Sequence, residues 1–159
     1  MIPADLCQNK SNYMSNRMKF AQVEPEAYKA MMDLGKYISS TQLSTTHKDL
    51  IKIRTSQVNG CAYCVDMHTK EARDAGETEQ RLFALSVWRD TTFFTPEERA
   101  LLALTEEVTL ISQHVSDATY DQAVTLLGEK YVAQAIMAII SMNSWNRIGI
   151  STKMQPPAR

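Results

Sequence analysis

The chain has 159 residues, 17 basic and 18 acidic, for a formal net charge of −1, which removes the electrostatic case for nucleic acid or an anionic membrane. With 44% hydrophobic and 22% charged residues it is not a disordered chain. Five glycines and five prolines are too few for a turn-rich sandwich or barrel and point to one helical domain.

Residues 1–23 include Asp5, Asn9, Lys10, Asn12 and Asn16 without an apolar run, so an N-terminal arm is expected rather than a secretory signal. Pro25 suits the first turn of a helix reaching about Ser40. Thr45 or Thr46 is expected to cap a second helix through Val58, with Leu50, Ile51, Ile53 and Val58 apolar. Asn59-Gly60 breaks it. A third helix is expected from Cys61 to Ala75, closed by Gly76, and Thr78 starts a fourth ending near Arg89. Thr95-Pro96-Glu97-Glu98 joins a capping box to a proline at the first helical position. Behind it, Leu101, Leu104, Val108 and Ile111 recur at helical spacing. Ser116 or Asp117 caps the next helix, which Gly128 ends. The last runs from about Glu129 to Arg147 and is apolar nearly all round between Val132 and Met142, so it is central or lies against a second subunit. Residues 153–159 read as a tail, leaving an all-α domain over 24–152. The longest apolar stretch, Tyr131 to Ile140, is interrupted by Gln134 and is far short of the ~20 residues that span a bilayer. A soluble cytoplasmic protein is expected.

Three cysteines cannot form a disulfide framework, and an odd number suits one functional pair in a reducing compartment. The segment Asn59 to His68, NGCAYCVDMH, holds C-x-x-C-x-x-x-H. On a helix this spacing sets Cys61, Cys64 and His68 on one stripe. A helix N-terminus stabilises a thiolate, and C-x-x-C at that position supports reversible dithiol–disulfide chemistry. His68 is placed to accept or relay the proton of Cys64. If the helices on either side of Asn59-Gly60 pack antiparallel, Asp49 comes level with His68, which suggests an Asp–water–His–Cys relay. Buried structural cysteines are one alternative. A zinc site is another, with Cys61, Cys64 and His68 joined by Cys7, His47 or His114, none at finger or ribbon spacing. Haem attachment is excluded, because Val65 stands where histidine is required. Tyr63 reads as packing, and Ser56 and Gln57 are candidates for facing the site. Asn143, Trp145, Asn146 and Arg147 read as packing or subunit contacts, and Cys7 as a free thiol in the arm.

The segment Asp49 to Arg73, together with Thr95 to Thr109 and Met142 to Ser151, resembles the alkylhydroperoxidase AhpD / carboxymuconolactone decarboxylase-like family in its redox-active branch. That resemblance implies a compact bundle of about six to seven helices, assembled as a homotrimer or homohexamer. It implies thiol-dependent reduction of hydroperoxides without metal or organic cofactor. Cys64 would attack the peroxide, Cys61 would resolve the product and His68 would relay the proton. A dithiol or lipoyl-bearing protein would restore the pair. The family usually has glutamate twelve residues before the first cysteine; here that residue is Asp49, one methylene shorter. Weak peroxidase turnover, or another dithiol–disulfide substrate, therefore stays open. So do a decarboxylase-fold enzyme with incidental cysteines and a non-enzymatic redox sensor.

Overall fold

The computed structural model describes residues 17–158; Cys7 and most of the expected arm lie outside the described residues. The described residues form eight α-helices and no strand: α1 (Phe20–Val23), α2 (Pro25–Ser40), α3 (Thr45–Asn59), α4 (Ala62–Asp74), α5 (Glu79–Ala84), α6 (Pro96–Thr109), α7 (Asp117–Leu127) and α8 (Glu129–Ser151). Two 3₁₀ turns, Leu85–Asp90 and Ile111–Gln113, follow α5 and α6. The all-α expectation holds, with one helical turn at Phe20–Val23 inside the segment read as an arm.

Local chemistry sets most of the boundaries. Thr95 and Glu98 form a reciprocal capping box behind Pro96, and the Ser116 side chain accepts the Thr119 N–H at the start of α7. The cap of α3 is Ser44, one residue before Thr45: its hydroxyl accepts the His47 N–H at 3.1 Å. Helix α5 stops at Ala84, short of the expected Arg89, because the backbone leaves helical angles at Val87 (φ −123°, ψ 30°). Helix α8 continues past Arg147 to Ser151.

Helix α3 packs against α4, α6 and α8 and is the hub of the bundle. Its Ile51 joins Leu101, Leu104, Val132, Ala135 and Ile139 in one buried cluster between α6 and α8. Its Leu50 and Ile53 join Ala72, Leu82, Leu85, Trp88 and Leu102 in a second. Each fully buried Leu or Ile stabilises the fold by roughly 1.5–3 kcal/mol, so α3 is anchored from two sides. A polar tie reinforces it. The Glu106 carboxylate accepts from Arg54 Nε and Trp88 Nε1, both at 2.7 Å, and also from Arg89. Burial would raise the Glu106 pKa, but Trp88, Arg89 and Arg54 outweigh it and hold the carboxyl below its usual range.

Two substitutions separate these contributions. Glu106→Gln should lose about 2–3 kcal/mol, since it leaves Arg54 half-paired inside the bundle. Thr55 is fully buried and its hydroxyl has no hydrogen-bond partner, so Thr55→Val should gain up to about 1 kcal/mol. Urea denaturation of both variants measures the two changes.

Candidate functional site

The site begins at the end of α3. Gly60 takes the left-handed conformation (φ 73°, ψ 32°), which costs any residue with a Cβ about 1 kcal/mol or more. The turn closes with Gly60 N–H to Gln57 O at 3.2 Å and Cys61 N–H to Ser56 O at 3.0 Å. The chain then reverses into α4. Cys61 is the N-cap of that helix (φ −85°, ψ 93°), not a first-turn residue as expected, and Cys64 lies in the first turn.

The cysteines are free thiols, 2% and 3% exposed, in a small cluster with Met142 of α8, against which Tyr63 and Trp145 pack. Gly149 of α8 lies directly over them. A methyl group there would stand 3.3 Å from Cys61 Sγ and 3.7 Å from Cys64 Sγ, so the glycine gives the sulfurs their room. An open groove of about 530 Å³ is lined by Ser56, Gln57, Gly60, Cys61, Val65 and Thr69; Cys64, buried to the same degree as Cys61, is not part of its lining.

A chain of side-chain hydrogen bonds joins α3 to α8 beside Cys64. The Ser56 hydroxyl donates to Lys52 O at 2.7 Å and accepts from Asn146 Nδ2 at 3.0 Å. Asn146 Oδ1 accepts from Asn59 Nδ2 at 2.9 Å, and the same nitrogen donates to Asn143 Oδ1 at 2.9 Å. Arg147 Nη1 also donates to Asn143 Oδ1, at 3.0 Å. Asn146 is completely buried. Sequence reasoning assigned these α8 residues to packing or subunit contacts. The available signal was two asparagines three residues apart just beyond the apolar stretch from Val132 to Met142.

His68 is buried one turn beyond Cys64 on α4, but its carboxylate partner is not Asp49. Glu71 Oε2 accepts from His68 Nδ1 at 2.8 Å, which assigns the ring proton to Nδ1 and leaves Nε2 as the basic nitrogen. Asp49 bonds Lys52 Nζ at 2.9 Å, and that ammonium stands 3.7 Å from Glu71. Asp49 is thus level with His68, as the antiparallel geometry required, but reaches it through Lys52 and Glu71. Glu71, three residues after His68, was legible as an i,i+3 partner and was missed.

Burial is the largest influence on both candidate proton carriers. It pushes Cys64 up to about 12, helped by the Cys61 sulfur against it and opposed by the Asn146 amide. The low thiol pKa expected of a helix-start cysteine therefore does not apply to Cys64 in the dithiol. Two touching sulfurs hold at most one negative charge near neutrality. Burial lowers His68 below 6.5, while Glu71 and Asp49 raise it and Lys52 lowers it further. The imidazole is neutral at pH 7 and can accept a proton. Among the described residues no three His, Cys, Asp or Glu side chains are arranged to hold a metal ion, so Cys61, Cys64 and His68 do not converge as the zinc alternative requires. His47 is remote from the pair, with Nδ1 2.6 Å from Tyr131 Oη.

These shifts have measurable consequences. Glu71→Gln should lower the His68 titration midpoint and Lys52→Met should raise it, both followed by the imidazole proton resonances. Burial lowers both His47 and His68 below 6.5, so below about that pH the unfolded chain binds more protons than the folded one. Stability is full above it and falls on acidification; the thermal midpoint should drop between about pH 7 and pH 5.

Residues 25–107 match the model of the carboxymuconolactone decarboxylase family. The uncharacterized protein YdfG of Bacillus subtilis is 45% identical over 139 residues, covering 87% of this chain and 95% of YdfG. An Agrobacterium tumefaciens protein of unknown function, to which an AhpD-type antioxidant defence role has been ascribed, superposes with a TM-score of 0.88 at 38% identity, covering 90% of this chain and 99% of that one. The debrominase Bmp8 superposes with a TM-score of 0.79 at 21% identity over 86% of this chain and 74% of its own, a likeness of fold.

Proposed function

The chain belongs to the carboxymuconolactone decarboxylase family, and on that premise we propose that it is a thiol-dependent hydroperoxide reductase whose redox centre is Cys61 and Cys64. One observation carries the reading: two free thiols touch at the start of α4, one facing an open groove, with a neutral, carboxylate-held histidine one turn farther on. That combination suits two-electron thiol chemistry and leaves a small peroxide room to approach.

In the proposed cycle His68 Nε2 takes the proton of Cys64 and the thiolate attacks the peroxide. An S–O bond forms, the O–O bond breaks, and the alcohol or water leaves with the proton from His68. Cys61 then attacks the Cys64 sulfenic acid, forming the disulfide and releasing water. An external dithiol, free or lipoyl-borne, supplies two electrons by thiol–disulfide exchange. Asp49 contributes through Lys52, which sets the charge around Glu71. A second order of events is favoured by the groove, because Cys61 lines it and Cys64 does not: Cys61 would attack and Cys64 would resolve.

A homo-oligomer, trimer or hexamer, is part of the proposal. It is supported by α2, an amphipathic helix that buries no residue, and by Ile140 and Ile150 of α8, 43% and 45% exposed. Among the described residues no single helix is long and apolar enough to cross a membrane. This agrees with the proposed cytoplasmic setting.

Stoichiometric peroxide should consume two thiols per chain, and dithiothreitol should return them. Cys64→Ser should abolish peroxide consumption, whereas Cys61→Ser should form one dimedone-trappable sulfenate and stop. Sulfenate on Cys61 in the Cys64→Ser variant would establish the second order instead. Full dithiol-dependent turnover in both variants would remove the pair from the mechanism.

A further inference from the structure

Gly149 leaves a small space beside the cysteine pair, and the three atoms nearest to that space are all sulfur. From the place a methyl group would take, Cys61 Sγ stands at 3.3 Å, Cys64 Sγ at 3.7 Å and Met154 Sδ at 3.9 Å. Two of these walls are interior, since both cysteines are buried, whereas Met154 is 41% exposed. The third wall is thus a thioether on an unbranched, flexible side chain that reaches solvent. The fold brings it there by a specific device. Helix α8 ends at Ser151, and the chain, expected to run on as a tail, turns back instead. Lys153 takes the left-handed conformation (φ 55°), and the Met154 N–H returns to Gly149 O at 2.9 Å. This is the six-to-one bond of a Schellman motif, which sets the residue after the left-handed one against the last turn of the helix. The residue that forms the hook is bonded to the glycine that makes the space.

We propose that Met154 is a specificity-determining cover over the Cys61–Cys64 pair, held beside Gly149 by the left-handed turn at Lys153, and that it sets the size of the reagent reaching Cys64. The groove serves Cys61, which lines it; Cys64 is not in that lining, so its access runs past the end of α8. There the Gly149 backbone is fixed inside a helix, but the Met154 side chain turns without breaking any backbone hydrogen bond. A slim reagent needs only that rotation. A broad one needs the hook itself to open, which costs the Met154–Gly149 bond as well. Applied to the proposed redox centre, the cover admits a small peroxide or a slender dithiol and holds back bulkier ones. That application rests on the redox reading; the cover itself does not.

The test uses the reduced full chain with Cys7→Ser, and mass spectrometry follows the initial rate at Cys64. Two reagents share one reactive group: iodoacetamide and the much wider iodoacetamidofluorescein. Met154→Ala should speed alkylation of Cys64 by about tenfold with the first and about a hundredfold with the second. Met154→Leu, which restores the bulk without the sulfur, should stay near the parent rates. Lys153→Pro keeps the thioether but forbids a positive φ, and should reproduce the gain of Met154→Ala. A Met154→Ala protein with unchanged rates, or with the same gain for both reagents, would overturn the proposal. So would a Lys153→Pro protein that reacts like the parent. Alkylation needs no peroxide chemistry, so a protein inert to peroxide still answers, and slow alkylation in every variant would leave the redox reading standing while removing the cover.

Discussion

The left-handed turn at Gly60 is the constraint on which the site depends. It ends α3, returns the Cys61 N–H to Ser56 and starts α4 at once, with no loop in which the sulfurs could wander. Because α3 is buried between two apolar clusters, the turn is held at a fixed place in the bundle. The two cysteines are thus located by the core rather than by a loop, which fixes their separation closely.

Around that turn the protein places polarity sparingly. Against the sulfurs lie Gly149 and Met142; beyond them lies the His68–Glu71–Lys52–Asp49 series. Burial disfavours any charge here, so each polar group that remains has a large say in where a proton sits. The same burial that suppresses ionisation of Cys64 keeps His68 neutral and therefore able to accept a proton. One physical cause weakens both the acid and the base, because burial disfavours the thiolate and the imidazolium alike.

Much of this was legible in the sequence where the information is local. The Thr95 box, the Ser116 cap, the Asn59-Gly60 breaker and the shared buried face of Cys64 and His68 follow from spacing within a few residues. Errors of a single position, such as Ser44 for Thr45 and Cys61 at the cap rather than inside α4, arise because neighbouring residues compete for a boundary on nearly equal terms. What spacing did not reveal depends on contact between distant segments. Asn146 meets Ser56 across 90 positions of chain, and Gly149 has meaning only once α8 is laid over α4. Glu71 is a helical neighbour of His68 at i,i+3, whereas the antiparallel geometry of α3 and α4 pointed to Asp49. The shorter reach of Asp49 is answered here by an intervening ammonium.

Helix α8 is an unbroken rod of 23 residues. Near its start Val132, Ala135 and Ile139 are locked into the larger apolar cluster; toward its end Asn146 bonds Ser56 and Gly149 lies against the sulfur pair. A rod transmits displacement along its axis, and the span from Val132 to Gly149 is roughly 25 Å. A core substitution that slides this helix by half an ångström moves the glycine window and the amide by the same amount. Packing and the surroundings of the two sulfurs are therefore not separately adjustable: a change in the hydrophobic interior that shifts α8 also shifts what lies against Cys61 and Cys64.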